Sequence, residues 1–510
     1  MTKRPTATTP NLPAENIAAL KRLFPKAVTE GAEGAVVDVD ALKELVGDRT
    51  VTGGEETFGL VWHGKRRSRQ LALTPSAGTL RPCPEESVDW ETTQNLVIEA
   101  DNLEVLKLLQ KRYSGKVKLI YIDPPYNTGE DFVYRDNYRD TVRGYLAAAG
   151  LSDTEGRRVS SNTRASGRFH TDWLNMMYPR LILARLLLRD DGLFVASIDD
   201  NEVNTLRFLC DQVFGEENYL QQLVWKRHAG GGNDAKFFAV DHEYLLVYAK
   251  SRDAVARLRM PLSDAERARY TLTDRHAATL GPYKLKSLRR MRPDDPRPNL
   301  TYAIRTPDGG VVRDTWKWEE TRFLRALAED KVQMRQDRAG RWHVEYKIYL
   351  RDPESGEERT RVPRSLLLDV ERNADGKRQL HSVLGRENVF TNPKPVGLIR
   401  HVLSFGTGAG DIVLDFFAGS GTTGHAVLEQ NAVDGGRRRY ILVQMPEPLD
   451  ADSRGQKSAA GFCDAIGRPR TIAEITKERL RRAAEEIRRD HPESDVGFRV
   501  YRLDGGNLRG

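Results

Sequence analysis

The sequence predicts an α/β fold built on an open and largely parallel sheet. Residues 95–122 have the pattern strand, helix, strand, which is the unit from which parallel sheets are assembled. Two strands then end in distinctive turns: residues 117–122 run into a Pro-Pro turn, and residues 412–414 run into a glycine-rich turn. Because ligands bind at the carboxyl ends of strands in such sheets, both turns are candidate functional positions.

The first turn consists of Asp123, Pro124, Pro125 and Tyr126. The prolines have a fixed φ and cannot extend a sheet ladder, so the strand ends there and displays Asp123 and Tyr126. A carboxylate and a backbone carbonyl can accept both protons of a base's exocyclic amino group, which frees the nitrogen lone pair. The aromatic ring of Tyr126 offers a face on which a base taken out of the helix can stack. The turn therefore predicts chemistry on an amino group, and an ordinary strand-ending turn is the alternative.

The second turn follows a strand that ends at Asp415. Gly419, Gly421 and Gly424 open the next helix, where backbone can approach a ligand and N–H groups are available. Their G-x-G-x-x-G spacing leaves a Rossmann dinucleotide site open on this turn alone. Asp415 and Phe417 ahead of the glycines favour S-adenosylmethionine instead.

The strand after this turn indicates where a ribose would bind. It ends at Gln444, with Glu447 three positions further on. A carboxylate binds hydroxyl groups more strongly than an amide does, but Gln444 occupies the strand-end position. The ribose assignment therefore stays open between these two residues.

Composition limits the classes of protein that fit. The 510 residues include 80 Lys plus Arg against 73 Asp plus Glu, a net charge of +7 that is compatible with a nucleic-acid partner. The three cysteines are far apart, so we expect neither a disulfide framework nor a metal site, and a reducing cytoplasm is the predicted location. No apolar run is long enough to span a membrane, and the polar N-terminus does not resemble a signal peptide.

Two other stretches carry structural predictions. Residues 170–190 predict an apolar helical segment that Pro179 should break in two. Residues 226–387 have few long apolar runs and many Arg, Pro and Asp residues, which predicts an inserted irregular α/β or mostly β domain.

Taken together, the motifs resemble the amino-group DNA methyltransferases, and in particular the modification (Mod) subunits of type III restriction systems. The matching segments lie between residues 80 and 505 and are LRPCPEESVDW, NLVIEADNLEVLKLL, KLIYIDPPYNTGEDFVYRDNY, HTDWLNMMYPRLILARLLLRDDGLFVASIDDNE, NVFTNPKPVGLIRHVLSFGT, DIVLDFFAGSGTTGHAV and GFRVYRLD. The DPPY turn precedes the FAGSG turn by about 290 residues, which resembles the permuted β-class order.

This resemblance implies a seven-stranded methyltransferase sheet with helices on both faces and an inserted target-recognition domain. The expected divisions are residues 1–80, an N-terminal tail and small α/β extension; 81–225, the catalytic half with the DPPY turn; 226–387, the target-recognition domain; and 388–510, the cofactor half with the C-terminal helix and strand.

The resemblance also implies an activity, which is methyl transfer from S-adenosylmethionine to adenine N6 in double-stranded DNA. The DPPY turn would hold the flipped base. The residues implied on the cofactor side are Asp101 and Asn102 near the adenine, and Lys394 with the turn that contains Gly419, Ser420 and Gly421 near the methionine. The residues expected on the DNA side are Asn127, Trp173, Lys226 and Arg227.

Several alternatives remain at this point. N4-cytosine could be the target, since the same geometry serves either amino group. The chain could also be a silent DNA-recognition subunit. A homodimer and a restriction subunit are partners that the resemblance leaves open, because the chain looks shorter than many Mod subunits and could act alone.

Overall fold

The computed structural model describes residues 11–31, 34–39, 41–42, 60–128, 169–230, 235–291 and 297–504. The chain divides into two compact units, one made of Met1–Leu258 with Arg364–Gly510 and one made of Arg259–Pro363. The first ten residues of the predicted N-terminal tail lie outside the described part.

The helices, in chain order, are α1 (Leu12–Leu23), α2 (Lys65–Leu73), α3 (Asn102–Tyr113), α4 (Phe169–Leu187), α5 (Val203–Phe214), α6 (Asp264–Arg267), α7 (Ala277–Leu280), α8 (Glu320–Ala328), α9 (Asn373–Leu384), α10 (Val396–Gly406), α11 (Thr422–Asp434), α12 (Lys457–Ala465) and α13 (Ile472–Asp490). None of these helices is long and apolar enough to cross a bilayer.

The strands are β1 (Val28–Gly31), β2 (Gly34–Val37), β3 (Thr79–Pro82), β4 (Leu96–Glu99), β5 (Val117–Ile122), β6 (Leu188–Ile198), β7 (Tyr219–Lys226), β8 (His242–Ala249), β9 (Met260–Pro261), β10 (Tyr283–Ser287), β11 (Thr301–Arg305), β12 (Val311–Thr315), β13 (Val332–Gln336), β14 (Trp342–Tyr349), β15 (Thr360–Arg361), β16 (Leu366–Leu367), β17 (Ile412–Asp415), β18 (Arg439–Gln444) and β19 (Arg499–Asp504).

The larger unit is built on a sheet of ten described strands in the order β16-β7-β8-β6-β5-β17-β18-β4-β19-β3. The seven strands from β7 to β4 form its centre, and within them only β8 runs antiparallel to its neighbours. β16 extends one edge, and β19 and β3 extend the other, so the sheet is wider than the seven strands that the resemblance implied. The predicted α/β fold class is confirmed.

The register of the central strands fixes where the two turns lie. β5 pairs in parallel with β17 through Leu119 opposite Val413, and β17 pairs with β18 through Leu414 opposite Ile441. All three strands are almost wholly buried, as expected for strands covered on both faces. Their carboxyl ends therefore meet at one edge, which brings the DPPY turn next to the glycine turn.

Helix α4 runs unbroken through Pro179, so the predicted break at this proline is wrong. A proline inside a helix removes one hydrogen bond and costs about 3 kcal/mol. Leu181, Leu183 and Leu187 on this helix are fully buried, and each contributes roughly 1.5–3 kcal/mol by its burial. Packing of the helix thus outweighs the local cost of the proline.

A buried ion cluster ties the C-terminal helix to the sheet. The Lys477 side chain on α13 is fully buried, and its ammonium lies 2.7 Å from Glu474 Oε1, 2.9 Å from Glu99 Oε2 and also next to Glu86. Arg502 on β19 adds a second cation, 2.9 Å from Glu86 Oε1. The three carboxylates are therefore paired with two cations of the chain itself, and removing a cation would leave more buried negative charge uncompensated.

The smaller unit, residues 259–363, contains mostly short antiparallel pairings, with β10-β14-β13, β11-β12 and β15-β9 as its sheets. Its core includes Leu288, Ile304, Trp316 and Phe323. The mostly β character predicted for the insertion is therefore seen here.

This unit is narrower than the target-recognition domain expected at residues 226–387. β8 pairs with β6 and β7 in the main sheet, and β16 pairs with β7, so residues 226–258 and 364–387 belong to the larger unit. Target recognition by residues 226–387 remains a prediction.

Candidate active site

A pocket of about 610 Å³ opens at the carboxyl ends of β5, β17 and β18. This volume is typical of pockets that bind small organic ligands or cofactors. Residues of both turns line it, and the predicted site residues among the lining are Asp123, Pro124, Pro125, Tyr126, Arg227, Lys394, Phe417, Gly419, Gln444 and Glu447. The structure thus brings the two predicted halves of the site to one cavity.

The Pro-Pro turn is held from behind by helix α4. Trp173 is buried, and its indole Nε1 donates a 2.7 Å hydrogen bond to the carbonyl of Pro125. Among the described residues, none donates a hydrogen bond to the carbonyl of Pro124. Trp173 therefore supports the turn rather than lining the pocket, and the Pro124 carbonyl is the one left available to a ligand.

A buried ionic cluster lies beside the turn. The ammonium of Lys394 is 3.2 Å from Asp123 Oδ1 and 3.0 Å from Glu243 Oε2, and it donates a 2.7 Å hydrogen bond to the Tyr126 hydroxyl. The Tyr126 hydroxyl lies 2.9 Å from Asp123 Oδ1 and 3.1 Å from Glu243 Oε2, either of which can accept its proton. Arg227 Nη1 lies 2.7 Å from Glu243 Oε1. Two carboxylates and two cations therefore form a formally neutral set.

The charges of this set act differently on its two acids. Burial raises the pKa of Asp123, Lys394 opposes that rise, and Glu243 adds to it. Burial also disfavours the ionised form of Glu243, but Lys394 and Arg227 outweigh it and hold the pKa of Glu243 below its ordinary value. The two pKa shifts are therefore opposite in direction: the ionised form is favoured in Glu243 and disfavoured in Asp123.

Asn127, next after the turn, is held by a different helix. Its backbone has a φ of 59°, and its side-chain Nδ2 donates a 2.6 Å hydrogen bond to the buried Glu202 Oε1. His170 Nδ1 lies 2.7 Å from the same oxygen. Asn127 does not line the pocket, so its predicted DNA contact remains a prediction.

The glycine turn begins with a carboxylate that braces the turn itself. Asp415 Oδ1 accepts a 2.9 Å hydrogen bond from the Phe417 N–H, and Oδ2 accepts one of 2.5 Å from the Thr423 hydroxyl. Burial raises the pKa of Asp415 to about 7. Gly419 and Gly421 have φ values of 53° and 82°, in the left-handed region that favours glycine.

Gln444 and Glu447 differ in whether their side-chain polar atoms already have hydrogen-bond partners within the protein. Gln444 Oε1 accepts from the Gly419 N–H at 2.7 Å, and its Nε2 donates to the Met445 carbonyl at 3.1 Å. Among the described residues, none donates a hydrogen bond to the Glu447 carboxylate, and burial raises the pKa of this carboxyl to about 7. Glu447 is therefore the better candidate to accept hydroxyl groups in the pocket.

The remaining predicted cofactor residues lie behind the pocket lining. Asn102 Nδ2 donates a 2.7 Å hydrogen bond to the Phe416 carbonyl, and Asn102 Oδ1 accepts one from the buried Arg180. Asp101 caps helix α3 by accepting from the Glu104 N–H at 3.2 Å. These residues brace the strand end ahead of the glycine turn.

Ser420 also faces the protein. Its hydroxyl accepts a 2.9 Å hydrogen bond from Nη1 of Arg479, which donates at 2.7 Å to the Thr422 hydroxyl as well. Arg479 is fully buried, and burial lowers its pKa to about 10. The glycine turn therefore rests on a buried guanidinium from α13.

Sequence reasoning missed several pocket residues, of which Glu243, Asp199 and Phe390 are the clearest. Glu243 carried a signal, because it is the one carboxylate in the otherwise apolar and aromatic strand at 242–249. Asp199 follows β6 as Asp123 follows β5, so its position after a strand was also informative. Phe390 lies in a loop, and only the fold brings it within reach of Gly419.

Comparison with known proteins shows the family. Residues 117–447 match the family model N6_N4_Mtase, described as DNA methylase. The chain is 35% identical over 445 residues to the Mod subunit of the StyLTI type III restriction-modification enzyme of Salmonella typhimurium, covering 86% of this chain and 65% of that subunit. It is 32% identical over 527 residues to the Mod subunit of the EcoPI type III enzyme of Escherichia phage P1, covering 96% and 77%.

The chain spans less than two thirds of the Salmonella subunit. Among solved structures, one of a DNA modification methylase from Thermus thermophilus complexed with S-adenosyl-L-methionine, itself described as putative, is 13% identical with a TM-score of 0.34, covering 81% of this chain and 98% of that one.

Proposed function

Because this chain belongs to the DNA methylase family and, within it, to the Mod subunits of type III restriction-modification enzymes, we propose that it methylates adenine N6 in double-stranded DNA with S-adenosylmethionine. The single observation that carries this proposal is the meeting of Asp123 and the glycine turn at one pocket. An amino-group acceptor and a cofactor turn are both needed for methyl transfer, and they come from strands that pair directly.

The residues that line the pocket suit the polar groups of S-adenosylmethionine. Glu447 offers a half-buried carboxylate to ribose hydroxyls, and Phe417 and Gly419 present the glycine turn to the cavity. A side chain at Gly419 would come within 3.2 Å of Phe390 and fill space between two parts of the lining, so a small residue is needed there. When bound, the cofactor supplies an electrophilic methyl group.

The chain's own residues provide the amino-group site. Asp123 and the Pro124 carbonyl accept the two amino protons of the flipped adenine, while Trp173 keeps the Pro125 carbonyl engaged. The ring of Tyr126 lines the pocket, and its hydroxyl is fixed by Asp123, Glu243 and Lys394, so the ring is preorganised for stacking on the base. Catalysis is then mostly positioning and electrostatic stabilisation.

DNA is the partner that the family implies, and a restriction subunit is the second partner that we propose from the names of the relatives. Lys226 at the end of β7 is the cation that we assign to a DNA phosphate. Arg227 is engaged by Glu243, so we assign it to the pocket instead. A homodimer stays among the proposals.

The deciding experiment is single-molecule sequencing of DNA from a methylation-free host that expresses this chain. We expect N6-methyladenine at one short motif with the wild type and none with Asp123→Ala. The matched control is Asp190→Ala, because the Asp190 side chain is 81% exposed on the same sheet, and it should leave methylation unchanged.

Other results would change the proposal in defined ways. A signal on cytosine N4 would keep the mechanism and change the base. If the purified chain binds S-adenosylmethionine in calorimetry but methylates no DNA, the chain is a recognition subunit or needs its restriction partner. Binding of NAD without binding of S-adenosylmethionine would contradict the assignment of the glycine turn.

A further inference from the structure

We propose that Glu243 is a positioning residue for methyl transfer, because it shares Lys394 with Asp123 and so prevents this lysine from pairing with the aspartate alone. The inference rests on the proposed function, since it concerns how Asp123 is kept available to the base. Glu243 comes from β8, which lies outside both motifs in the sequence, although the fold brings it to 3.1 Å from the Tyr126 hydroxyl.

The geometry shows that Lys394 is divided almost equally between the two acids. Its ammonium is 3.2 Å from Asp123 Oδ1 and 3.0 Å from Glu243 Oε2, and it donates a 2.7 Å hydrogen bond to the Tyr126 hydroxyl. One hydrogen bond and two ion pairs therefore hold the ammonium in place. The side chains of Lys394 and Glu243 are 7% and 3% exposed, which limits screening by water.

Without Glu243, the cation would act on Asp123 alone. A neighbouring opposite charge favours ionisation, lowers the pKa of a carboxyl and occupies the lone pairs that the amino group needs. Glu243 offsets that effect, and Arg227, 2.7 Å from its other oxygen, keeps Glu243 ionised. Asp123 therefore retains an accessible lone pair and a pKa above its ordinary value.

This balance matters for the proton released in the reaction. The lone pair of the amino nitrogen forms the new N–C bond, the electron pair of the broken S–C bond stays on sulfur, and the nitrogen loses one proton. An acid with a raised pKa can take that proton and then release it to water. Glu243 has a lowered pKa and so stays charged throughout.

Charged and titratable side chains from several neighbouring elements surround Asp123 and Glu243. Around Asp123 they are Lys394, Glu243, Tyr126, Tyr121 and Asp415. Around Glu243 they are Lys394, Arg227, Asp123, Tyr121, Tyr126 and Asp199. Burial raises the pKa of both tyrosines well above 10, so they remain neutral. Burial raises the pKa of Asp415 to about 7, and its hydrogen-bond partners Phe417 and Thr423 are unchanged in the variants compared below.

The test is the pH profile of single-turnover methyl transfer, with tritiated S-adenosylmethionine at saturation and the duplex identified by sequencing. The rate should fall as pH drops through the pKa of Asp123, because the protonated acid no longer accepts from the amino group. Glu243→Gln should slow transfer at pH 8 by about 10- to 100-fold and move this acidic limb down by about one pH unit. Lys394→Met should move the limb up by about one unit, because it removes the cation instead of the anion.

The matched control is Tyr244→Phe, the next residue of β8, whose hydroxyl donates to Asp200 at 2.8 Å and does not line the pocket. It should keep the wild-type rate and profile. A wild-type rate in Glu243→Gln, or slower transfer in both variants with no opposite shift of the limb, would overturn the inference. If the wild type itself binds the cofactor but transfers no methyl group at any pH, the proposed function fails instead.

Discussion

The ionisation of Glu447 gives the clearest test of the cofactor site. Burial alone raises the pKa of this carboxyl to about 7, and among the described residues no donor satisfies it. A ribose hydroxyl that donates to the carboxylate would favour its charged form and lower this pKa on binding. S-adenosylmethionine should therefore bind more weakly as pH falls through 7, and Glu447→Gln should lose that dependence.

The size of the effect follows from the pKa. We take Glu447 to stay ionised in the complex at pH 6. The fraction of free protein in which Glu447 is ionised then falls from about 0.9 at pH 8 to about 0.09 at pH 6. The dissociation constant should then rise about tenfold, or about 1.4 kcal/mol. Replacing the carboxylate by an amide should also weaken binding at pH 8 by about 1.5–3 kcal/mol, as expected for a hydrogen bond to a charged group.

Isothermal titration calorimetry at pH 6, 7 and 8, in two buffers of different ionisation enthalpy, measures both the affinity and the protons released. The comparison of wild type with Glu447→Gln removes the contribution of the ligand's own amino group. Glu485→Gln, on the exposed side of α13, is the matched control and should follow the wild type. Equal pH dependence in the wild type and Glu447→Gln would refute the assignment of Glu447 to the ribose.

Three further predictions concern the support of the site. Lys477→Met should lower the free energy of unfolding by about 3–5 kcal/mol in urea titrations, because buried carboxylates lose their cation, and a loss below about 1 kcal/mol would contradict that role. Gly421→Ala should cost about 1–3 kcal/mol in the same assay, since its φ is 82° and the new Cβ would lie 3.1 Å from Thr476 Cγ2; wild-type stability would show that the turn adapts. Trp173→Phe should slow single-turnover methylation about tenfold without changing cofactor affinity, because only the hydrogen bond to Pro125 is lost; an unchanged rate would show that the turn needs no such support.

Local chemistry explains what could be predicted from the sequence. The ends of β5 and β17 can be predicted from the residues that follow each strand, because prolines end the first strand and glycines form the turn after the second. The family predicted from these turns is confirmed by the comparisons. The rest of the site depends on pairing across the sheet, which no local pattern encodes. Glu243 enters the pocket only because β8 pairs with β6.

Tertiary packing also explains where single residues departed from expectation. Pro179 stays inside a helix because its neighbours are buried. Lys394, expected near the methionine part of the cofactor, directs its ammonium to Asp123 and Glu243. Its role toward the cofactor remains a prediction. Its position beside the Pro-Pro turn could not be predicted from the segment NPKP, because only the fold brings the two together.

The pairing of β5 with β17 has a consequence for the newly made protein. The ribosome must add 294 residues after Leu119 before it reaches Val413, the sheet partner of Leu119, which takes about 15–60 s at roughly 5–20 residues per second. Until then one edge of the apolar strand VKLIYI lacks this neighbour and is open to wrong pairing with other chains. Translation therefore delays the pocket until after β17 has emerged, so nascent chains that stall earlier should lack the pocket.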